Sequence, residues 1–197
     1  MELSPEEKIT LETYDKIAER WHKEHKIPGF WKNEMTLFNK LLPSGSLLEI
    51  GSGGGRDAKE LIQLGYKYTG TDISSGLLEI AKKEIPTATF LQQSVYDLHF
   101  DEKFDGFWAS AVLLHIPKTR IAEALGKIHH VVKTNGIGFI SMKQGSGETF
   151  YDNRFFAYYT QEEFRNILIK NNYRVLKSTL NPMSDKTTWL SYFVKTN

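Results

Sequence analysis

The segment Leu47–Leu61, LLEIGSGGGRDAKEL, and the acidic residue Asp72 are the parts of this 197-residue sequence whose residue types point most directly to chemistry. The segment predicts a buried strand that ends at Ile50, a glycine-rich turn, and a helix that opens near Arg56. Glycines allow a ligand to approach the backbone, and a helix start presents unpaired N–H groups to an anion. Asp72 follows the next predicted strand, about 20 residues after the first glycine, where a carboxylate can accept both hydroxyls of a ribose. Together these features predict a site for a nucleoside-containing cofactor.

The glycine spacing is compatible with two classes of cofactor. Dinucleotide-binding enzymes use G-x-G-x-x-G with the first glycine directly after the strand, and in that frame Arg56 stands where the third glycine belongs. A later frame, Gly53–Ala58, satisfies G-x-G-x-x-A and keeps NAD binding open, although it starts further beyond the strand. The pattern that fits from the strand end is E-x-G-x-G-x-G over Glu49–Gly55.

This E-x-G-x-G-x-G pattern resembles the first motif of the class I S-adenosylmethionine-dependent methyltransferases. In that family the acid before the glycines lies near the amino acid end of the cofactor, and the acid after the second strand holds the ribose. Ser94 departs from the family, because a common version has Asp at that position near adenine. The cofactor contacts that the resemblance implies are Tyr14, Glu49, Gly51, Ser52, Gly53, Arg56, Asp57, Asp72, Ile73, Ser94, Val95 and Ala109.

The segment Phe104–Pro117, FDGFWASAVLLHIP, resembles the family's fourth motif, whose strand end passes near the transferred methyl group. His115 follows that strand end by a few residues. A histidine at this place can act as a general base or contact the substrate, whereas a lone histidine is more often a packed residue. The sequence leaves both interpretations open, and His115 is the predicted catalytic residue.

A loop after the predicted strand Gly136–Met142 carries charged and aromatic residues toward the sheet edge where doubly wound folds bind ligands. Arg154 in this loop can hold an anionic substrate group with two hydrogen bonds, or it can pair with Asp152 or Glu148. The predicted substrate contacts are Trp31, Arg154 and Tyr158.

Strand and helix patterns alternate from Leu47 onward, which predicts a mostly parallel sheet with helices on both faces. The last two predicted strands, Tyr173–Ser178 and Thr188–Lys195, have no helix between them, so we expect them to pair antiparallel with a connection at Asn181-Pro182. The resemblance implies the family's Rossmann-like α/β fold, a doubly wound, seven-stranded sheet with a C-terminal antiparallel hairpin.

Two helices are predicted before the sheet begins. Ser4 and Glu7 form a capping box with proline at the first helical position, and Pro28-Gly29 separates this helix from the next. We expect one domain over residues 1–197, with residues 1–43 as a helical cap or lid and residues 44–197 as the cofactor-binding core.

Composition excludes several classes of function. The chain has 25 Lys and Arg against 24 Asp and Glu, a net charge of +1, which disfavours a nucleic-acid partner. The absence of cysteine excludes disulfides, thiolate metal sites and cysteine nucleophiles, and it agrees with a cytoplasmic location. The N-terminal residues lack an apolar signal core, and the apolar runs are too short to span a membrane. No metal site is predicted, because no carboxylate cluster resembles a catechol-type magnesium site.

These observations predict a methyltransferase that uses S-adenosylmethionine to methylate an oxygen, nitrogen or sulfur atom of a small molecule. The alternatives are an NAD(P)-dependent oxidoreductase, supported by the second glycine frame, and a non-catalytic adenosyl-binding or interaction module. Methylation of a protein or RNA also stays open. The sequence does not define the substrate or the oligomeric state.

Overall fold

The computed structural model describes residues 2–185 and 187–197. The described chain forms six α-helices, which are α1 (Pro5–His25), α2 (Lys32–Leu41), α3 (Arg56–Gln63), α4 (Ser75–Glu84), α5 (Ile121–Val131) and α6 (Gln161–Lys170). Its strands are β1 (Ser46–Ile50), β2 (Lys67–Asp72), β3 (Thr89–Gln92), β4 (Phe104–Ser110), β5 (Val132–Lys143), β6 (Glu148–Tyr151), β7 (Arg154–Ala157), β8 (Tyr173–Ser184) and β9 (Thr187–Thr196).

Seven strands form one sheet in the order β3-β2-β1-β4-β5-β9-β8. The first five strands of this order are parallel, and β9 pairs antiparallel with both β5 and β8. The predicted fold class is therefore confirmed. The chain leaves β1 toward β2 on one side and returns through β4 on the other, so the order of the strands reverses between β1 and β4. In such sheets a crevice opens at the carboxyl ends of the two central strands.

The core lies on both faces of the sheet, as expected for a central parallel sheet whose strands are buried on each side. Successive residues of β4 point to opposite faces, with Phe107 in the cluster beside α5 and α6 and Trp108 in the cluster beside α2 and α3. Trp108 stacks on Phe139 of β5, with 3.9 Å between the ring centroids. These large rings fix the positions of the strand ends that carry the site.

The two N-terminal helices lie in different environments. The predicted capping box of Ser4 and Glu7 is present at the start of α1, and the chain breaks between α1 and α2 around Gly29, whose φ is 81°. Helix α2 buries Met35 and Phe38 in the core beside Trp108. Helix α1 instead lies across the carboxyl edge of the sheet, where it packs on α4 and contacts β7.

The C-terminal hairpin differs from its predicted boundaries. The expected connection at Asn181-Pro182 is wrong, because β8 continues through both residues to Ser184. Pro182 pairs with Thr188, and the register shifts between Pro182 and Ser184. A proline cannot donate a ladder hydrogen bond, but β8 is an edge strand, where such a residue is tolerated.

The segment predicted as a loop after β5 contains a second, two-stranded sheet of β6 and β7. Asp152 and Asn153 form the two-residue turn, with φ of 51° and 53°. Positive φ at both central residues matches the right-handed twist of a hairpin, and Asp and Asn tolerate that conformation. The hairpin brings Arg154 and the residues after it back to the edge of the main sheet.

None of the helices in the described residues is long and apolar enough to cross a membrane.

Candidate active site

A cavity lies at the carboxyl ends of β1, β2 and β4, and α1 covers it. The sheet side contributes residues from the glycine turn after β1, from the end of β2, and from the segments after β3 and β4. Helix α1 contributes the opposite wall. The residues that line the cavity include Glu7, Thr10, Tyr14, Trp21, His22, Glu49, Gly51, Ser52, Gly53, Arg56, Asp57, Asp72, Ile73, Ser94, Val95, Ser110, Ala111, Val112 and His115.

The glycine turn brings the backbone close to the cavity. Gly51 and Gly53 have φ of 71° and 53°, which favour glycine. A Cβ atom on Gly51 would stand 2.4 Å from the Val112 side chain, so the turn also needs glycine to pack against the segment after β4. A Cβ atom on Gly53 would meet no atom within 4 Å. The space over Gly53 is therefore open to a ligand.

Asp72 ties the end of β2 to the glycine turn. Its Oδ2 accepts a hydrogen bond from the Gly53 N–H at 2.9 Å, and its Oδ1 accepts one from the Ser74 N–H at 2.8 Å. Burial raises the pKa of Asp72, while these backbone N–H groups act in the opposite direction. Each carboxylate oxygen keeps a further lone pair, so Asp72 can accept two more hydrogen bonds from a ligand.

Glu49 and Asp57 place two carboxyl groups under the glycine turn. Burial and the neighbouring Asp57 charge raise the pKa of Glu49 well above its ordinary value. The Tyr68 hydroxyl donates to Glu49, and Asp57 accepts from Arg56 Nε at 2.6 Å and from Trp108 Nε1 at 3.0 Å. Each oxygen of Asp57 thus accepts one hydrogen bond from the protein. A cationic ligand group beside Glu49 would stabilise the ionised form of Glu49.

His115 is held in one tautomer. Its Nδ1 lies 2.6 Å from the Phe155 carbonyl oxygen, which can only accept, so Nδ1 carries the proton. In the neutral ring Nε2 is then an acceptor, and it accepts a hydrogen bond from the Tyr14 hydroxyl, with 2.9 Å between the nitrogen and the oxygen. Burial lowers the pKa of His115 to about 4, so the imidazole is neutral at pH 7. The site therefore presents a neutral imidazole whose basic nitrogen contacts Tyr14.

This arrangement changes the expected role of Tyr14. The resemblance implies that Tyr14 reaches the cofactor carboxylate, which would require its hydroxyl to donate. A tyrosine has one hydroxyl proton, and here it is directed to His115 Nε2. Tyr14 lines the cavity as expected, but its proton links it to His115.

The depressed pKa of His115 makes folding stability depend on pH. The folded-state pKa of about 4 lies below the ordinary 6.5, so the unfolded chain binds more protons between these values. Stability should fall as pH drops from 6.5 toward 4 and then level off. We expect this group to contribute about 2–3 kcal/mol to the change. Urea unfolding of wild type and His115→Asn between pH 4 and 7.5 measures it, and an identical pH dependence in both proteins would refute the expectation.

Helix α1 is held over the cavity by polar contacts in addition to the apolar packing of Ala18 on α4. The Glu7 carboxylate accepts from Arg120 at 2.7 Å and also from the Tyr96 hydroxyl. Asp15 accepts from the Ser74 hydroxyl at 2.6 Å, at the start of α4. The Thr10 hydroxyl accepts from a backbone N–H of β7 at 2.9 Å. Water can replace such contacts more readily than it replaces buried apolar packing, so α1 should open more readily than α2, which buries Met35 and Phe38.

The structure brings together most of the residues predicted for the cofactor and for catalysis. Tyr14, Glu49, Gly51, Ser52, Gly53, Arg56, Asp57, Asp72, Ile73, Ser94, Val95 and His115 all line the cavity. Sequence reasoning missed the α1 residues Glu7 and Thr10, which also line the cavity.

Other predicted residues lie elsewhere. Ala109 is fully buried within β4, and the next two residues, Ser110 and Ala111, line the cavity instead. Trp31 packs in the core against Phe139 and Trp189, so the structure does not bring it to the site.

The remaining substrate candidates, Arg154 and Tyr158, do not line the cavity, although the Arg154 guanidinium lies 4.6 Å from the ring centroid of Trp21, which does. Arg154 and Tyr158 flank Phe156, whose ring centroid is 4.8 Å from that of His115. The expected alternative contact of Arg154 with Asp152 is present at 3.4 Å.

Comparison with known proteins places this geometry in a family. Residues 47–136 match the family described as Methyltransferase domain. A demethylmenaquinone methyltransferase of Symbiobacterium thermophilum is 30% identical over 154 residues, which cover 68% of this chain and 59% of that protein. An uncharacterised protein of Methanocaldococcus jannaschii is 32% identical over 154 residues, which cover 73% of this chain and 69% of that protein. The chain belongs to the class I S-adenosylmethionine-dependent methyltransferases.

The family uses S-adenosylmethionine, which decides against the NAD(P)-dependent alternative. A solved structure with the same fold is 1,6-didemethyltoxoflavin-N1-methyltransferase of Burkholderia thailandensis, with bound 1,6-didemethyltoxoflavin and S-adenosylhomocysteine. Its TM-score is 0.81 at 17% identity, over 100% of this chain and 92% of that chain. The chain spans only about three fifths of the demethylmenaquinone methyltransferase, at 59% of its length.

Proposed function

We propose that this methyltransferase moves the methyl group of S-adenosylmethionine to an oxygen, nitrogen or sulfur atom of a small molecule. The observation that carries the proposal is a single cavity that joins the open glycine turn and Asp72 at one side to the neutral His115 imidazole at another. A cofactor site and a candidate base are thereby in direct reach of each other.

The residues around the glycine turn fit this cofactor. Asp72 has lone pairs free for the two ribose hydroxyls, and the open space over Gly53 admits the chain of the cofactor. Glu49 would face its amino group, and Ile73, Ser94 and Val95 would flank adenine. When bound, S-adenosylmethionine supplies an electrophilic methyl group on its sulfonium sulfur. The protein contributes alignment of the acceptor atom and exclusion of water.

His115 would take up the proton that the acceptor atom loses. Its Nε2 is unprotonated at neutral pH and accepts a hydrogen bond from the Tyr14 hydroxyl before the reaction begins. Transfer of that proton to Nε2 lets the Tyr14 oxygen accept the proton of the substrate, so the pair can act as a short relay. The Phe155 carbonyl stabilises the resulting imidazolium through Nδ1–H.

The enclosure of the site favours a small acceptor. Helix α1 covers the cavity, and the net charge of +1 gives no general attraction to nucleic acid. Two similar proteins, named for demethylmenaquinone and 1,6-didemethyltoxoflavin, add support for this substrate class.

Incubation with methyl-labelled S-adenosylmethionine and a cell extract tests the proposal. We expect label in the small-molecule fraction and none in protein or RNA. Label in a macromolecule would contradict the substrate class. Tight binding of S-adenosylhomocysteine without transfer to any fraction would instead indicate a non-catalytic binding module.

Helix α1 is expected to act as a lid that closes over the bound cofactor. S-adenosylhomocysteine should slow amide hydrogen exchange in Pro5–His25 on the order of tenfold, because opening then also costs the contacts to the ligand. The hinge would lie at Pro28-Gly29. Helix α2 is an internal control, since Met35 and Phe38 hold it in the core. Unchanged exchange in α1 on ligand addition would mean that the helix is permanently packed.

A further inference from the structure

We propose that Arg154 and Lys143 form an anion-binding subsite beside His115 that takes a carboxylate of the acceptor substrate. The inference rests on the proposed function and narrows its substrate class from small molecules to small carboxylic acids. It is carried by two cations whose hydrogen-bonding capacity the described part of the chain leaves partly unused, because Arg154 Nε has no partner there and Lys143 makes no ion pair there.

Arg154 is a buried cation, and one of its N–H donors has no hydrogen-bond partner in the described chain. The residue is 7% exposed, and its Nε has no hydrogen-bond partner among residues 2–185 and 187–197. Within the described residues the guanidinium contacts the exposed Asp152 at the long distance of 3.4 Å, and it also interacts with the Tyr14 hydroxyl, whose pKa burial raises and Arg154 lowers. The guanidinium is held between aromatic rings, 4.6 Å from the Trp21 centroid and 5.7 Å from that of Phe156. By contrast, Nε of Arg56 donates to Asp57 at 2.6 Å.

Lys143 stands at the end of β5 without a carboxylate partner in the described chain. Its Nζ lies over the ring of Phe156 at 4.5 Å and over that of Trp189 at 5.7 Å. Lys118 and Lys133, in contrast, make ion pairs at 2.8 Å and 2.7 Å. Burial and the charge of Arg154 both lower the pKa of Lys143. The positive charge of Arg154 therefore acts on Lys143, and no carboxylate of the described residues pairs with Lys143 to offset that charge.

The two cations share one aromatic neighbour. Both lie against the ring of Phe156, which also contacts His115, with 4.8 Å between the centroids. The charges that act on His115 are those of Arg154 and Lys143, and both add to the effect of burial in lowering its pKa. The positive charges of Arg154 and Lys143 repel each other, which destabilises the free protein. A bound anion would relieve that repulsion.

The position of the pair assigns the anion to the acceptor rather than to the cofactor. Neither Arg154 nor Lys143 lines the cavity that runs from the glycine turn to His115. They lie around the buried ring of Phe156, on which the half-buried ring of Tyr158 stacks. A guanidinium edge and an ammonium together suit a carboxylate whose apolar body packs against Tyr158.

Ligand titration of the protein saturated with S-adenosylhomocysteine tests the subsite, with benzoate as the probe and benzamide as its neutral match. We expect benzoate to bind roughly 5- to 50-fold more tightly than benzamide, because charge-assisted hydrogen bonds are lost with the amide. Benzoate should also raise the pKa of His115, measured from its ring resonances by NMR, since an anion offsets both cations. Equal binding of the two probes would overturn the proposal.

Variants distinguish a carboxylate of the acceptor substrate from the carboxylate of the cofactor as the anion that Arg154 and Lys143 bind. Arg154→Gln and Lys143→Gln should each weaken benzoate binding roughly 5- to 50-fold and leave the affinity for S-adenosylhomocysteine unchanged. Lys133→Gln, which removes a cation paired with Asp105 far from the site, should change neither. A loss of S-adenosylhomocysteine affinity in folded Arg154→Gln would assign Arg154 to the cofactor and refute the subsite. If Arg154→Gln does not fold, Lys143→Gln alone decides.

The outcome is distinguishable from that of the proposed function. Preferential binding of benzoate without methyl transfer to any small molecule would support the subsite and contradict the activity. Transfer to a neutral acceptor, unaffected by Lys143→Gln, would support the activity and overturn the subsite.

Discussion

Replacing His115 with alanine is expected to lower the turnover number by roughly 10²–10⁴-fold, the range of a lost general base, with little effect on cofactor affinity. The physical reason is the fixed tautomer. Nδ1–H donates to the Phe155 carbonyl, so the unprotonated Nε2 is directed to the Tyr14 hydroxyl at the cavity wall. Steady-state rates on the acceptor identified from the labelled extract, together with calorimetry of S-adenosylhomocysteine, measure both quantities.

Two further variants make this result specific. Tyr14→Phe should also reduce turnover, because it removes the hydroxyl that contacts Nε2. His129→Ala is the matched control, since His129 lies on α5 with its ring against Tyr173 and does not line the cavity. Full turnover in His115→Ala would leave His115 as a packed residue. The contribution of His115 should be constant from pH 6 to 8, because its pKa is about 4, and should fall only as pH approaches that value.

The sequence predicted the position of this histidine but not its chemistry. The distance along the chain from the glycine pattern and the fourth strand was enough to locate His115 near the strand end. Its tautomer depends on Phe155 and Tyr14, which are 40 and 101 residues away in the chain. No local pattern encodes contacts of that separation. They arise only when the β6–β7 hairpin and α1 meet over the sheet.

The main sheet was predictable because strand and helix patterns alternate along the chain from β1 to β5, and turns or helix caps mark most of the boundaries. The β6–β7 hairpin was missed because neither strand alternates: all four residues of β6 are exposed and all four of β7 are buried. Pro182 suggested the end of a strand because proline has no N–H to donate to a neighbouring strand. On the edge strand β8 the position of that donor can face away from the sheet, so the strand continues through Pro182.

Residue roles were least predictable where a ring could face either of two apolar environments. Trp31 lies close in sequence to the hinge, and its type suits a pocket wall as well as a core. The stacked pair of Trp108 and Phe139 creates the surface onto which α2 packs, and this draws Trp31 into the core. Ala111, which lines the cavity, adopts a φ of 54°. Alanine rarely adopts this conformation, so the residue type did not predict it.

Removal of the Asp72 carboxylate should weaken binding of S-adenosylmethionine and S-adenosylhomocysteine by about 1.5–3 kcal/mol, or roughly 10- to 150-fold in dissociation constant. Asp72 stands at the end of β2 with lone pairs directed to the cavity. It also accepts the Gly53 N–H at 2.9 Å, so it orders the glycine turn on which the cofactor would lie. Asp72→Ala therefore removes the proposed ribose acceptor and loosens the turn, and calorimetry on the folded variant measures the combined loss.

A second aspartate separates loss of the ligand contact from a general loss of stability. Asp105 also accepts a strand backbone N–H, that of Ser46 at 2.8 Å, but it does so at the opposite edge of the sheet. Asp105→Ala should lower the free energy of unfolding while leaving cofactor affinity unchanged. Asp72→Asn keeps one acceptor oxygen and should bind with intermediate affinity. Unimpaired binding by Asp72→Ala would place the ribose elsewhere. Equal weakening by Asp105→Ala would show that the effect acts through folding, because Asp72 lines the cavity and Asp105 does not.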